Sequence, residues 1–238
     1  MTAFILKLAA MITMLIDHTG YIFFGDRTIL RCIGRFAFPL YAFMIAEGWR
    51  RTHNRMDYGL RLAALALLSE IPYDLVFSHT LFNPGRNNVI LTLLLGYLAV
   101  AASERTENIF LKGAAVTGFC FLSVQMYSSY DYKGVLLIFF FHCYLKYFKN
   151  NSTGVRLAFL LGGLALFGGY YVYRNAAPGW NNLIYGFKVR NWLQLGCLIP
   201  AFMICAYNKK KGPSSPFFHV LYSLFYPLHL ILIYMLMR

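Results

Sequence analysis

Acidic residues are scarce in this 238-residue chain: nine Asp and Glu stand against 22 Lys and Arg, and charged residues of both signs reach only 13%. A soluble domain carries about a quarter charged residues, so this chain lacks the polar surface that a globule in water needs. At 59% hydrophobic and 18% aromatic, with a mean hydropathy of +0.53, its solvent is expected to be a bilayer. Other absences narrow the chemistry. There is no Gly-rich phosphate loop, no Ser in a nucleophile-elbow setting and no HExxH, which removes the usual nucleotide-hydrolysing, serine-nucleophile and zinc-peptidase readings. The five cysteines (Cys32, Cys120, Cys143, Cys197, Cys205) sit scattered in apolar runs with no CxxC, so neither a disulfide framework nor a metal site is expected. Alternating segments of about ten residues, the mark of a membrane β-barrel, are also missing.

What is present is a series of long apolar runs. They predict helices at 4–24, 29–48, 59–79, 88–102, 109–126, 134–148, 155–173, 191–207 and 217–236, an all-α polytopic membrane bundle of about nine, at most ten, transmembrane helices. Nine helices of roughly 20 residues consume about 180 positions and leave about 58 for connections and ends. The chain is therefore expected to be one integral domain over 1–238 with no separate aqueous domain. The first run is interrupted by Asp17-His18 and has no A-x-A cleavage signature, so it is expected to remain as helix 1 rather than leave as a signal peptide. No fixed-period repeat and no low-complexity tract is present.

The surplus of +13 first suggests nucleic acid, but in a membrane chain basic residues gather on the cytoplasmic side. Arg50, Arg51 and Arg55, then Lys146, Lys149 and Arg156, then Lys209, Lys210 and Lys211 all fall in breaks after even-numbered helices. That places the amino terminus in the cytoplasm, the carboxyl terminus outside and the chain in the cell membrane, with no nucleic-acid partner. The outer breaks lie near 25–28, 80–87, 127–133 and 174–190; the last holds Pro178-Gly179-Trp180, a plain loop with an interfacial Trp or a lip over an outer opening.

On this topology the intramembrane polar residues share a level. Asp17 and His18 lie in the outer half of helix 1, and Arg31 and Arg35 lie one turn apart near the outer end of helix 2. Glu70 and Asp74 lie one turn apart at the outer end of helix 3, with Asn87, Asn88, Asp131 and His229 near the same depth. Each such residue is costly in lipid unless paired or wetted. Any one arginine could simply pair with Glu70 or Asp74, or snorkel to headgroups; as a set the residues point to a functional cavity. His18 suits general-base work near neutral pH, with Glu70, Asp74 or Asp131 to orient it, whereas Asp17, about 100° away on the helix, does not. Two arginines on one face form a fork for a phosphate or for the oxyanion of acyl transfer. Direct attack by a substrate amine or hydroxyl on a bound thioester needs only these residues. The rival reading is a non-enzymatic transporter of small solutes or lipids built on the same charges, although no inverted repeat is evident and the cluster lies off the midplane.

Five strings carry a family resemblance. Met14-Leu15-Ile16-Asp17-His18, Gly34-Arg35-Phe36-Ala37-Phe38-Pro39-Leu40 with Glu47-Gly48, Ser69-Glu70-Ile71-Pro72-Tyr73-Asp74-Leu75, Asn87-Asn88-Val89 and Phe225-Tyr226-Pro227-Leu228-His229-Leu230 occur in order across nearly the whole chain, and together resemble the TraX family. The TraX protein of conjugative plasmids acetylates the amino terminus of F-pilin. The family in turn resembles the membrane acyltransferase-3 proteins, which carry an acyl group from cytoplasmic acyl-CoA to an extracytoplasmic acceptor and use an early histidine. The resemblance implies acetyl-CoA as acyl donor and His18 as catalytic base. It also implies Arg31 and Arg35 as donor or oxyanion contacts, while Asp17, Glu70, Asp74, Asn88, Asp131 and His229 are candidate substrate contacts. The acceptor is left open as a peptide amine, a glycan hydroxyl or a lipid headgroup. A donor supplied from inside must reach an outer cluster; a phosphopantetheine arm of roughly 15–20 Å could span part of the bilayer while Arg50, Arg51, Arg55 and Arg61 hold the nucleotide, unless those four only set topology.

Overall fold

A computed structural model describes residues 1–25, 29–175, 193–213 and 215–238. The segment with Pro178-Gly179-Trp180 lies outside the described residues, as does most of the 25–28 break. The described chain is helical throughout: α1 (Ala3–Phe24), α2 (Ile29–Gly34), α3 (Ala37–Arg51), α4 (Arg55–Phe77), α5 (Val89–Ser103), α6 (Ile109–Gln125), α7 (Asp131–Cys143), α8 (Thr153–Asn175), α9 (Ile199–Cys205) and α10 (Pro216–Leu236). A π-helical turn (Tyr144–Phe148) prolongs α7, and a 3-10 segment (Leu193–Leu198) leads into α9. The only β-type pairing among the described residues is a single bridge between Asn87 and Ser128.

Helix starts follow side-chain chemistry. Thr2, Asn54, Asn88, Asn108 and Ser215 each precede a helix and accept a first-turn N–H through the side chain, the bond that satisfies an otherwise orphaned donor. The helix expected over 29–48 is divided at residues 35–36. Pro39 explains the break: its ring cannot donate to the Arg35 carbonyl and clashes with it, so a continuous helix through that point is disfavoured. Arg31 and Arg35 are therefore not presented by one unbroken helix. The Arg35 N–H still reaches back to the Arg31 and Cys32 carbonyls, both at 3.2 Å.

Among the described residues, three stretches are long and apolar enough to cross a membrane, namely Ala3–Phe24, Ile29–Arg51 taken across its break, and Thr153–Tyr170. The remaining apolar helices, such as Val89–Ser103 and Ile109–Gln125, are shorter. Large apolar side chains stand exposed on several helices, including Phe110 on α6 at 84%, Leu67 on α4 at 78% and Leu166 on α8 at 79%. Faces of that kind suit hydrocarbon better than water.

The chain forms two compact units, each discontinuous in sequence: residues 1–41 with 147–214, and residues 42–146 with 215–238. In the first, α1 packs on α2, and the 3-10 segment packs on α2 and α8. The chain start runs beside residues 206–211, with Ala3 N–H donating to the Lys210 carbonyl at 2.9 Å and Phe4 N–H to the Lys211 carbonyl at 3.0 Å. In the second unit α5 packs against α4, α6 and α7, and α4 against α10. Its centre is Leu95, Ala99 and Val135, with Leu91, Phe119 and Cys120 around them. Gly96 is needed there, because a Cβ at that position would run into Ile138 of α7.

Candidate functional site

The candidate site residues divide between the two units. In the first, Asp17 on α1 meets Arg31 on α2 in an ion pair, Nη1 to Oδ1, of 2.6 Å, with side chains only 12% (Arg31) and 15% (Asp17) exposed. Arg31 thus takes Asp17, on the helix beside it, as a carboxylate partner. Two local features hold the pair. The Arg31 guanidinium lies 5.0 Å from the centre of the Tyr21 ring, a cation–π contact that fixes its plane. Gly34 lets α2 come close, since a Cβ there would overlap the Asp17 carboxylate. With Asp17 turned to Arg31, the next residue, His18, sits about 100° round the helix, half-buried. Arg35 lies in the turn after α2, within electrostatic reach of the Cys32 and Cys197 thiols. Gly196 of the 3-10 segment packs against the Cys32 carbonyl with no room for a side chain.

The second unit gathers Glu70, Asp74, Asn88 and His229. Glu70 and Asp74 lie one turn apart on α4, on one face. Asn88 caps α5 through Oδ1, which accepts the Ile90 N–H at 2.9 Å, while its Nδ2 donates to the Ala66 carbonyl at 2.8 Å and to Glu70 Oε2. The Asn88 N–H donates to the same Glu70 oxygen at 3.3 Å. Asp74, fully buried, accepts the Asn83 N–H at Oδ2 over 2.6 Å. A cap and a carboxylate are thus held by one asparagine, which couples the start of α5 to α4.

His229 on α10 is buried, and its Nδ1 lies 2.8 Å from the Phe225 carbonyl. A carbonyl can only accept, so Nδ1 carries the proton in this bond. Phe225 stacks on this imidazole at 4.9 Å and Tyr226 meets it edge-on at 5.5 Å. The Tyr226 hydroxyl in turn meets the backbone of Val89 and lies within electrostatic reach of the Glu70, Tyr73 and Tyr130 side chains, which links α10 to the Glu70 cluster. Asp131 pairs with Lys133, two residues on, at 2.9 Å, from a left-handed backbone with φ of 48°.

Two features escaped sequence reasoning. Tyr226 and Asn83 complete the Glu70 and Asp74 environment but look like an ordinary aromatic and a loop residue. At the other end of α7, Glu104 accepts from His142 Nε2 at 3.0 Å and from Lys146 Nζ at 2.7 Å, both on Oε1. Partial burial pushes the Glu104 carboxyl up, but these two bonds outweigh it and hold the carboxyl below its usual range. The i, i+4 spacing of His142 and Lys146 in the sequence was the available signal. Of the arginines proposed for a nucleotide, Arg51 is bonded to Glu47 at 2.8 Å, Arg55 stacks 4.3 Å above Trp49 and Arg61 Nε donates to the Asp57 carbonyl at 3.1 Å. Arg50 is exposed.

No solved structure matches this chain. A probable fimbrial assembly protein, FimC of serogroup H1 from Dichelobacter nodosus, is 26% identical over 245 residues, covering 98% of this chain and 94% of that protein. The profile described as TraX protein matches residues 3–237, so the match takes in both units and every candidate residue above. The chain belongs to the TraX family.

Proposed function

We propose that this protein is a multi-pass cell-membrane acyltransferase that moves an acetyl group from cytoplasmic acetyl-CoA to an amine or hydroxyl of an extracytoplasmic acceptor. The observation that carries the reading is the family match over residues 3–237, which spans the Asp17-His18 and Gly34-Arg35 strings. The family includes the F-pilin acetylase, and the Dichelobacter relative is named for fimbrial assembly, so the amino terminus of a pilus subunit is the first acceptor to try. The amino terminus of the chain is cytoplasmic and its carboxyl terminus extracytoplasmic in this reading.

The chemistry asks little of the protein. The acceptor nitrogen or oxygen attacks the thioester carbonyl carbon, His18 takes the acceptor's proton, the C–S bond breaks and CoA leaves as thiolate, to be protonated in turn. Arg35, with Arg31 braced by Asp17, supplies positive charge for the oxyanion that develops on the carbonyl. A buried guanidinium already paired by a carboxylate is held rigidly and needs little reorganisation during the reaction.

The test is transfer itself. Proteoliposomes holding the full chain, given radiolabelled acetyl-CoA and a pilin amino-terminal peptide, should label the peptide, and blocking its α-amine should stop the labelling. If neither amine, sugar nor lipid acceptors gain label above protein-free liposomes, the proposal fails.

A further inference from the structure

Positive charge is shared unevenly between the two units. Of the surplus of +13, ten belong to residues 1–41 with 147–214, where twelve Lys and Arg stand against two acids, Asp17 and Asp26. No Asp or Glu follows Asp131 anywhere in the sequence. Asp17 is taken by Arg31 and lies about 20 Å along α1 from Phe4, at 1.5 Å per residue. The end of this unit at which α1 begins therefore carries basic residues that no acid of the same unit offsets.

Three segments build that end. The Ala3 and Phe4 N–H groups donate to the Lys210 and Lys211 carbonyls, and the Asn208 N–H donates to the Met1 carbonyl at 2.9 Å, so the loop after α9 is tied to the start of α1. The Asn208 side chain accepts the Lys210 N–H at 3.1 Å, and Lys209 holds a left-handed backbone with φ of 65°. Gly212, at φ of 77°, packs on Thr2 where a Cβ would collide. From α8, Arg156 Nη2 donates to the Cys205 carbonyl at 2.7 Å, immediately before the loop. Lys7 lies one turn into α1. Lys209, Lys210 and Lys211 are exposed, so three consecutive ammonium groups project from a backbone that is held in place.

The surroundings decide which anion fits. Among the described residues, α1 (Ala3–Phe24) and Thr153–Tyr170 of α8 are each long and apolar enough to cross a membrane, and the basic end stands where both begin. Exposed apolar side chains continue directly from it: Ile5, Leu8 and Ile12 at i, i+3 and i+7 on α1, and Val155 next to Arg156 on α8. A soluble phosphate compound would meet the charges alone. A phospholipid meets both, its phosphate the cations and its acyl chains the apolar faces.

We propose that Arg156, Lys209, Lys210 and Lys211 form a docking surface for the headgroups of anionic phospholipids, with the acyl chains lying along the exposed faces of α1 and α8. The surface rests on the membrane placement given under the proposed function and not on acyl transfer. Each lysine close to an anionic headgroup adds attraction that salt weakens.

Thermal unfolding of the purified full chain in a neutral detergent, titrated with phosphatidylglycerol, cardiolipin, phosphatidylcholine or inorganic pyrophosphate, tests it. The unfolding temperature should rise saturably with the two anionic lipids and not with phosphatidylcholine, and the rise should shrink at high salt. In Lys209→Gln/Lys210→Gln/Lys211→Gln the lipid concentration for half the effect should increase at least about tenfold, whereas the corresponding triple Arg variant should respond like the unsubstituted protein. No rise with anionic lipid, an equal rise with phosphatidylcholine, or a response that survives the triple Gln substitution would overturn the proposal. An equal rise with pyrophosphate would do so as well, because a soluble phosphate is then the occupant. Should the triple Gln variant not fold, the unsubstituted protein is delipidated, equilibrated with equal amounts of phosphatidylglycerol and phosphatidylcholine, and the retained lipid counted; equal retention of the two counts against the surface. Acetyl transfer is read in a separate assay, so loss of either reading leaves the other standing.

Discussion

Two regions solve the same problem of burying carboxylates in opposite ways. In the first unit Asp17 faces a full positive charge, the Arg31 guanidinium at 2.6 Å. In the second, Glu70 and Asp74 are held by amides from Asn83 and Asn88, with one oxygen of each left over. A matched pair is stable as it stands, and removing either half strands a charge. Carboxylates held by neutral donors are positioned without being neutralised. The first region is therefore braced by a charge pair beside His18, whereas the second is held in place by neutral amides.

The sharpest way to break this contrast is to remove the matching charge. Arg31→Ala converts the Asp17 environment into an uncompensated one and should cost about 3–5 kcal/mol, read by chemical or thermal unfolding in detergent. Asp17→Ala/Arg31→Ala should recover much of that loss; equal damage in the double variant would mean the pair is not the source. A smaller effect is expected at Asn88. Asn88→Ala deletes a helix cap and the side-chain donor to Glu70 together, at about 1–3 kcal/mol, and should also loosen amide-exchange protection in the first turn of α5.

The smallest effect belongs to Glu104, which has opposite charge beside it as Asp17 does, but nearer the surface. Its folded carboxyl lies below the usual value of 4.5, so its contribution is present above that value and is lost as pH falls through the folded value. Glu104→Gln should cost less than about 1 kcal/mol near neutrality and should flatten the stability profile on the acid side. A profile unchanged by the substitution would show that the His142 and Lys146 bonds contribute nothing measurable.

Much of the fold was legible, because apolar runs are long and the breaks between them are marked by Asn, Ser or Thr caps and by basic clusters. Among the described residues each expected helix overlaps helical structure, with ends shifted by a few residues and with the one over 29–48 divided in two. The division at 35–36 was readable in principle from Pro39, four residues later, but a hydropathy run passes straight over it. The Asp17–Arg31 pair was not readable, since it depends on how closely α1 and α2 approach, and only the small size of Gly34 hints at that. The i, i+4 spacing of Glu70 and Asp74 correctly implied a shared face. Their partners came instead from the loop at 83–88, where sequence alone does not say which asparagine turns inward.

The central claim is that the Asp17-His18 region carries acyl transfer, and substitution of the histidine tests it most directly. In proteoliposomes with radiolabelled acetyl-CoA, His18→Ala should lower acetyl transfer at least about 100-fold, as loss of a general base does, while insertion, yield and unfolding temperature stay near those of the unsubstituted protein. Transfer at the unsubstituted rate by a folded His18→Ala protein would contradict the account.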